Sequence, residues 1–274
     1  MRSEPFRVLT FNLLGSWDRR DGAEWEERQD RVASVIEQSA PDLAGLQEVT
    51  ATQRATLDAK LPDLRRVPVH PPLGTPIAES EDALNTIFYR PSRFRYEDGG
   101  IFWLGADPAR PSLDWDAAFP RCATWTRLTD QADGGQLLFI STHLDHESGR
   151  ARFESAVLIQ NFLLLTHAKP VPEVPAILVG DFNSDASLGI HHRFLQGPPP
   201  FLDAWQETHS GPRAPFTDGT FHDFTGKPLS DVGRIDWILS TGLLRPIEAS
   251  IVDSAVGGRY PSDHFPVLAL FSRA

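Results

Sequence analysis

The sequence predicts an α/β fold, in which strands and helices alternate along the chain. Residues 6–11 alternate in polarity as a strand does, residues 24–39 carry apolar side chains at helical spacing, and residues 42–47 form a short apolar run. A strand followed by an amphipathic helix and a second strand is typical of α/β folds. The polar residues Asn12 and Glu48 stand where the two strands end, which is where ligands bind in such sheets.

The same criteria place further elements along the rest of the chain, which has 274 residues. Pro41 ends the first helix, and a loop rich in proline, glycine and acidic residues separates two strands between residues 69 and 86. The further predicted strands are 64–69, 86–89, 94–104, 122–128, 137–142, 176–179, 220–224, 234–239 and 267–271. The further predicted helices are 52–61 and 147–167.

Residues 107–121 contain too many prolines to form a regular element, yet they are too apolar for a flexible linker. One interpretation is an ordered lid or wall over a site, in which Trp115 would contact the substrate. The other is a surface loop that Trp115 and Phe119 fasten to the core. Arg121, at the end of the segment, would either clamp a phosphate or remain solvated.

The composition is that of a soluble globular protein, with 41% hydrophobic and 23% charged residues. The single cysteine, Cys122, excludes an internal disulfide and a cysteine-rich zinc site. The first residues lack the apolar core of a signal peptide, and no apolar run reaches the ~20 residues that span a bilayer. We therefore expect a cytoplasmic, monomeric protein without a membrane span.

The charge balance disfavours a polyanionic partner. Lys and Arg together number 26 against 37 Asp and Glu, which gives a formal net charge of −11. Binding to a nucleic-acid backbone normally depends on clustered Lys and Arg, and no basic run stands out. Nucleic acid remains an open partner, because part of the acidity can belong to metal ligands.

Residues 175–183, P-A-I-L-V-G-D-F-N, contain the strand at the centre of the predicted site. The apolar run is typical of a strand buried on both faces, and Gly180 is expected to let the chain leave the sheet. Residues two apart in an extended chain point to the same side, so Asp181 and Asn183 would project together. Such a pair suits a hard divalent cation and the phosphate oxygen beside it. Taken alone, the pair could equally form an Asx turn.

Similar polar residues close other predicted strands. The full set is Asn12, Glu48, His143, Asp181, Asn183, Asp236, Asp263 and His264. Carboxylate, amide and water ligands suit Mg²⁺ or Mn²⁺, and Ca²⁺ could occupy the same ligands, whereas zinc prefers more His and Cys.

Simpler interpretations exist for parts of this set. Asp236 could form a buried ion pair with Arg234, and the Asp263–His264 pair could be only a rigid turn between prolines. His191 and His192, which belong to no motif, are expected at the surface.

Six short motifs occur in a fixed order. They are T-F-N (10–12), L-Q-E (46–48), S-T-H (141–143), G-D-F-N (180–183), R-I-D (234–236) and P-S-D-H-F-P (261–266). This ordered set resembles the exonuclease–endonuclease–phosphatase superfamily, also called DNase-like phosphoesterases. The resemblance covers almost the whole chain and implies a single domain over residues 1–274. The stretch T-H-L-D-H-E-S and the F-W-L near Trp103 are similar to a bacterial branch without a settled substrate.

The resemblance implies a four-layer α/β sandwich, with two mixed β-sheets packed face to face and flanked by helices. It also implies a phosphoric ester hydrolase that depends on Mg²⁺ or Mn²⁺. In such an enzyme Glu48 would be the principal metal ligand, assisted by Asn12 and Asp263. Asp181 and Asn183 would hold the attacking water or a second metal, together with a phosphate oxygen.

The two histidines take separate roles in the same resemblance. His143 would donate a hydrogen bond to a non-bridging phosphate oxygen. His264, oriented by Asp236, would be the general base or the donor to the transition state. Some nuclease members have a tyrosine in the region where this chain has Asp145 and His146, which disfavours abasic-site endonuclease activity. His146 and Arg121 would instead contact the substrate.

The substrate that these observations favour is a small or partly apolar phosphodiester. The alternatives are a DNA or RNA nuclease that grips the backbone through local arginines, and a catalytically inactive member that acts as a binding module. A metallo-β-lactamase fold is disfavoured, because Ser141 stands where its H-x-H-x-D-H signature requires the first histidine.

Overall fold

The structure is a computed structural model that describes residues 4–20, 22–68, 84–167, 174–211, 216, 218–253 and 255–273. The predicted loop between residues 69 and 86 lies almost wholly outside these residues. In chain order the strands are β1 (Phe6–Asn12), β2 (Leu43–Val49), β3 (Arg65–Arg66), β4 (Leu84–Tyr89), β5 (Phe94–Trp103), β6 (Cys122–Asp130), β7 (Gln136–His143), β8 (Ala176–Asp181), β9 (Phe201–Asp203), β10 (Asp236–Thr241), β11 (Leu244–Ile251) and β12 (Val267–Arg273). The helices are α1 (Trp25–Ser39), α2 (Ala51–Lys60), α3 (Gly149–His167), α4 (Gly189–Gln196) and α5 (Ala204–Thr208).

The strands form two six-stranded mixed sheets that are built on the same plan. The first has the order β11-β12-β1-β2-β4-β3, and the second has the order β5-β6-β7-β8-β10-β9. Each sheet contains one parallel pair, β1 with β2 and β7 with β8, whereas the other neighbours are antiparallel. A helix connects the strands of each parallel pair, α1 in the first sheet and α3 in the second.

The sheets pack face to face, and helices cover both outer faces. Phe6 of β1 and Phe139 of β7 meet in the apolar core between the sheets. Phe11 of β1 packs outward with α1, and Leu178 of β8 packs outward with α3 and α4. The predicted four-layer α/β sandwich is therefore confirmed.

The buried side chains explain why the helices lie where they do. Trp25, Val32 and Ile36 recur at helical spacing on α1 and are buried against the first sheet. The helix ends at Ser39, the capping residue Ala40 has a left-handed backbone, and Pro41 follows. Thr50 begins α2 with a capping box, since its hydroxyl accepts from the Gln53 N–H and the Gln53 side chain accepts from the Thr50 N–H.

Several predicted elements differ from the structure. Residues 220–224 do not form a strand, and only Phe221 makes an isolated bridge, to His264. Gly180 lies within β8 instead of ending it. A Cβ at this position would stand 2.0 Å from the Thr142 carbonyl oxygen of β7, so glycine allows the two strands to approach this closely. The strand predicted over 64–69 pairs only at Arg65–Arg66 within the described residues.

Four short or edge elements escaped prediction: β9, β11, α4 and α5. The strand β11 contains Pro246 and has a register shift between Pro246 and Glu248, so its sequence lacks a clear alternation. Among the described helices, none is long and apolar enough to cross a membrane.

Candidate active site

The shared plan of the two sheets brings the predicted site residues to one rim. The parallel pairs end there, with His143 of β7 beside Asp181 of β8 in register. Strand β10 runs antiparallel to β8 and so begins at this rim, where Asp236 pairs with Asp181. Strand β12 likewise begins beside the end of β1, and His264 stands three residues before it.

Glu48 is turned toward this rim by an irregularity in β2. Its φ of 59° lies in the left-handed region, and the pairing of β2 with β4 shifts register between Leu46 and Val49. Bulges of this kind re-aim side chains next to active sites. The Glu48 carboxylate accepts from the Gly15 N–H at 3.1 Å through Oε2 and from the Asn12 amide at 3.3 Å through Oε1. Sequence reasoning missed Gly15, which belongs to none of the motifs.

Asn12 joins the two sheets across the site. Its Nδ2 also donates to Asp181 Oδ2 at 3.0 Å, so the amide nitrogen lies between the Glu48 and Asp181 carboxylates. Its Oδ1 accepts from the Leu14 N–H at 3.0 Å. Asn12 therefore stands in the predicted place, and in this arrangement it presents a donor to the two carboxylates.

Asp181, Asn183 and His143 form the centre of the site. Asn183 has a φ of 47°, which asparagine tolerates well, and its N–H donates to Asp181 Oδ1 at 2.9 Å. The Asn183 amide lies 2.9 Å from His143 Nε2 and also donates to the Leu144 carbonyl. Burial, together with the positive charges of Arg121 and His264, holds the pKa of His143 well below its usual value. His143 is therefore neutral near pH 7.

The buried carboxylates repel one another. Burial and the neighbouring Asp236 carboxylate raise the pKa of Asp181 to about 7. Burial also raises the pKa of Asp263, and Glu48 adds to this effect. Ser262 holds this region together, since its hydroxyl donates to the Asn12 carbonyl at 2.7 Å and lies 3.1 Å from Asp263 Oδ1.

His264 and Asp236 form a buried hydrogen-bonded pair. His264 Nδ1 lies 2.9 Å from Asp236 Oδ2, and His264 Nε2 lies 3.7 Å from Asp181 Oδ2. Burial opposes the charge on His264, but the Asp236 carboxylate outweighs it and raises the pKa of His264 to about 10. The alternative ion pair between Asp236 and Arg234 is wrong, because Arg234 pairs with Asp203 at 2.6 Å.

The donor set fits a hard divalent cation. Two buried carboxylates at the rim, those of Asp181 and Asp263, have raised pKa values, and Asp236 Oδ1 has no hydrogen-bond partner in the described part of the chain. Such groups suit a cation with oxygen ligands. Ligand atoms of Asp181, Asp236 and His264 lie within 4.8 Å of one another. His264 Nδ1 and Asp236 Oδ2 are bonded to each other, and the candidate metal ligands outside this pair are Glu48, Asp181 and Asp263.

The 107–121 segment is fastened to the residues that precede α3. Asp145 accepts from the Ala118 N–H at 2.9 Å and the Phe119 N–H at 3.4 Å, and also from two N–H groups that precede α3. Burial opposes ionisation of Asp145, but these four donors together lower its pKa. Trp115 is held through its carbonyl, which accepts from the Ser148 hydroxyl at 2.7 Å.

Arg121, at the end of the 107–121 segment, lies near the rim that carries the candidate site. Its Nη2 lies 3.3 Å from His146 Nδ1, and its guanidinium lies 5.9 Å from the centre of the Phe119 ring. Burial lowers the pKa of Arg121, and the negative charges of Asp181 and Glu48 oppose this shift. Arg121 is half-buried, and its charge lies close enough to the Asp181 and Glu48 carboxylates to interact with them.

Comparison with known proteins identifies the class of protein that this fold and site define. The sequence matches the Endonuclease/Exonuclease/phosphatase family over residues 9–264. The chain belongs to this family, and the resemblance expected from its motifs is confirmed.

Individual relatives cover nearly the whole chain. The crystal structure of an endonuclease/exonuclease/phosphatase from Bacteroides vulgatus is 29% identical with a TM-score of 0.84, covering 99% of this chain and 100% of that chain. A mannosyl-6-phosphatase from Bacteroides thetaiotaomicron is 26% identical with a TM-score of 0.82, covering 97% and 99%. Nocturnin from Xenopus laevis is 25% identical over an alignment of 300 positions, which covers 97% of this chain and 72% of Nocturnin.

Proposed function

We propose that the protein is a divalent-metal-dependent phosphoester hydrolase in which a water molecule attacks phosphorus in line. The observation that supports this most strongly is the convergence of Glu48, Asp181, Asp263 and the His264–Asp236 pair at one rim of the two sheets. Phosphoryl transfer requires positioning and charge neutralisation more than covalent chemistry. An array of carboxylates, with the neutral His143 and the protonated His264 beside it, can supply both the positioning and the charge neutralisation.

Each residue has a distinct place in this mechanism. Glu48 and Asp263, with Asp181, would hold Mg²⁺ or Mn²⁺, which when bound neutralises charge on the phosphate. Neutral His143 would donate to a non-bridging oxygen. Asn183, whose amide lies 2.9 Å from His143 Nε2 and donates to the Leu144 carbonyl, would orient this histidine. Of the two roles expected for His264, the raised pKa supports the donor, because a ring with a pKa of about 10 is protonated at pH 7.

For the substrate we propose a small phosphodiester with a partly apolar group. The Trp17 indole is 52% exposed and packs over Gly15, whose N–H holds Glu48. The Phe119 ring is 57% exposed and stacks on His146 near Arg121. Two exposed aromatic rings beside the site offer apolar surface to such a group. The relative named mannosyl-6-phosphatase supports a small phosphoester in general.

The metal requirement is tested by adding Mg²⁺ or Mn²⁺ to chelator-treated protein while phosphoester hydrolysis is followed. We expect activity only with added metal. Glu48→Gln should lose most of it while the fold remains, because the change removes a ligand charge and no core packing. Activity of the metal-stripped protein equal to that of the loaded protein would exclude this mechanism.

The substrate class is tested by comparing a small aryl phosphodiester with single-stranded RNA and duplex DNA at low and moderate salt. We expect the small diester to be cleaved with little dependence on salt. Nuclease action should instead weaken steeply as salt rises, because phosphate contacts release counterions. Efficient, salt-sensitive cleavage of duplex DNA would show that the protein is a nuclease and not a hydrolase of small phosphodiesters.

A further inference from the structure

Arg28 is a fully buried arginine on α1 that none of the motifs includes. Arginine is seldom buried without a charged partner. Here the guanidinium donates to five neutral backbone carbonyls, those of Leu13, Leu14, Gly15, Ala23 and Pro261. The Trp25 ring lies against it, with its centre 5.3 Å from the Arg28 Cζ.

Four of the five carbonyls bound by Arg28, all but that of Ala23, belong to the two segments that carry proposed metal ligands. Residues 13–15 follow Asn12, and the Gly15 N–H in this segment donates to Glu48 Oε2 at 3.1 Å. Pro261 belongs to the other segment and stands two residues before Asp263. The Ser262 hydroxyl reaches from that segment to the Asn12 carbonyl at 2.7 Å. Arg28 therefore fastens both segments to one rigid helix.

We propose that Arg28 is a positioning residue for the metal ligands, holding the Gly15 and Pro261 segments in the arrangement that binds a divalent cation. The proposal rests on the metal-dependent function proposed above. Arginine suits this role because its planar fork offers five N–H donors in fixed directions, whereas lysine offers three from a single nitrogen.

Because Arg28 is charged, the direction in which metal affinity changes on its replacement tests the proposal. Burial lowers the pKa of Arg28 to about 10, and the Asp263 and Glu48 carboxylates oppose this shift. The group remains a cation at pH 7 and repels a metal ion bound nearby. Removing only that charge would tighten metal binding. Weaker binding after its removal therefore has to come from lost positioning.

The experiment measures Mn²⁺ binding by calorimetry, without substrate, for the wild type, Arg28→Met, Arg28→Lys and the control Arg31→Met. Arg31 lies on the same helix and is half-buried, and its Nε and Nη2 have no hydrogen-bond partner in the described part of the chain. We expect Arg28→Met to weaken Mn²⁺ binding by roughly 10- to 100-fold, as outer-shell changes at metal sites do. Arg28→Lys should be intermediate, and Arg31→Met should match the wild type.

Urea unfolding of the same four proteins separates this role from a purely structural one. Arg28→Met protein that is less stable yet binds Mn²⁺ as tightly as the wild type, or more tightly, would overturn the proposal. If Arg28→Met does not fold, Arg28→Lys, which retains the buried charge, takes its place. Arg28→Lys protein that binds Mn²⁺ as tightly as the wild type would then overturn the proposal. Wild-type protein that binds no Mn²⁺ would instead overturn the proposed function.

Discussion

Two buried histidine–aspartate pairs of nearly equal geometry lie in the second half of the chain. In one, His264 Nδ1 is 2.9 Å from Asp236 Oδ2, and in the other, His191 Nε2 is 2.8 Å from Asp203 Oδ2. Both aspartates are almost completely buried. The distance within the pair therefore does not distinguish a catalytic histidine from a structural one, and the difference lies in the neighbours.

The Asp203 pair is neutralised and enclosed. Asp203 also accepts from Arg234 Nη2 at 2.6 Å, and the edge of the His191 ring packs against Trp237. Burial would raise the pKa of Asp203, but Arg234 and His191 outweigh it and lower the pKa to about 2. The cluster ties α4 and β9 to the residues before β10, which is a structural role.

The Asp236 pair keeps one side open. His264 is the cation that Asp236 faces, and no arginine pairs with Asp236 among the residues that the structure describes. His264 Nε2 lies 3.7 Å from Asp181 Oδ2, which is too far for a hydrogen bond, so this nitrogen can donate to a substrate. An available ring nitrogen beside carboxylates, rather than the His–Asp contact itself, marks the functional pair.

The largest expected effect is the loss of activity when the open pair is broken. His264→Ala should lower the hydrolysis rate by roughly 10²–10⁴-fold, the usual contribution of a positioned acid–base group. Asp236→Asn should reproduce much of this loss, because it acts through the orientation and charge of His264. The measurement is kcat at saturating Mn²⁺, with circular dichroism to verify folding.

The double variant shows whether His264 and Asp236 act as one unit. Its loss should be close to that of His264→Ala alone, because residues that act together are strongly non-additive. A double loss equal to the product of two large single losses would mean that the two side chains contribute independently.

The contrast between the pairs also shows how far sequence could predict the site. His264 stands in P-S-D-H-F-P next to Asp263. Its position near the end of a strand, together with the family resemblance, is enough to select it as a site residue. His191 was expected at the surface and is instead buried. Its partner Asp203 ends a three-residue edge strand that no periodicity indicates, so the pairing of α4 with β9 could not be anticipated.

The same limit applies to the fold. The parallel pairs β1–β2 and β7–β8 were predictable, because buried strands with a connecting helix carry a strong pattern. The residues that support the site were not, since Gly15, Ser262 and Thr220 act through hydrogen bonds to residues far away in sequence. Thr220 accepts from the Asp236 N–H at 3.2 Å, a contact that only the tertiary structure creates.

The next effect in size concerns the enclosed pair and should appear in stability, with little change in rate. Asp203→Asn leaves the Arg234 cation buried without its carboxylate, and breaking a buried ion pair in this way costs about 3–5 kcal/mol. Urea unfolding should show this loss, while kcat of the folded enzyme should stay within tenfold of the wild type. A large loss of kcat at unchanged stability would place Asp203 in the catalytic machinery and remove the contrast.

The smallest expected effect is a pH dependence that belongs to Asp203 alone. Its folded-state pKa of about 2 lies below the unfolded value of about 3.9, so ionised Asp203 stabilises the fold above that value. This contribution, on the order of 2–3 kcal/mol, should be lost progressively as the pH falls from about 5 toward 2.

Other carboxylates titrate in the same range, and the Asp203→Asn variant retains them. The unfolding free energy of the wild type should therefore fall more steeply with acid than that of Asp203→Asn. Parallel curves for the two proteins between pH 5 and pH 2 would show that Arg234 does not depress the pKa of Asp203.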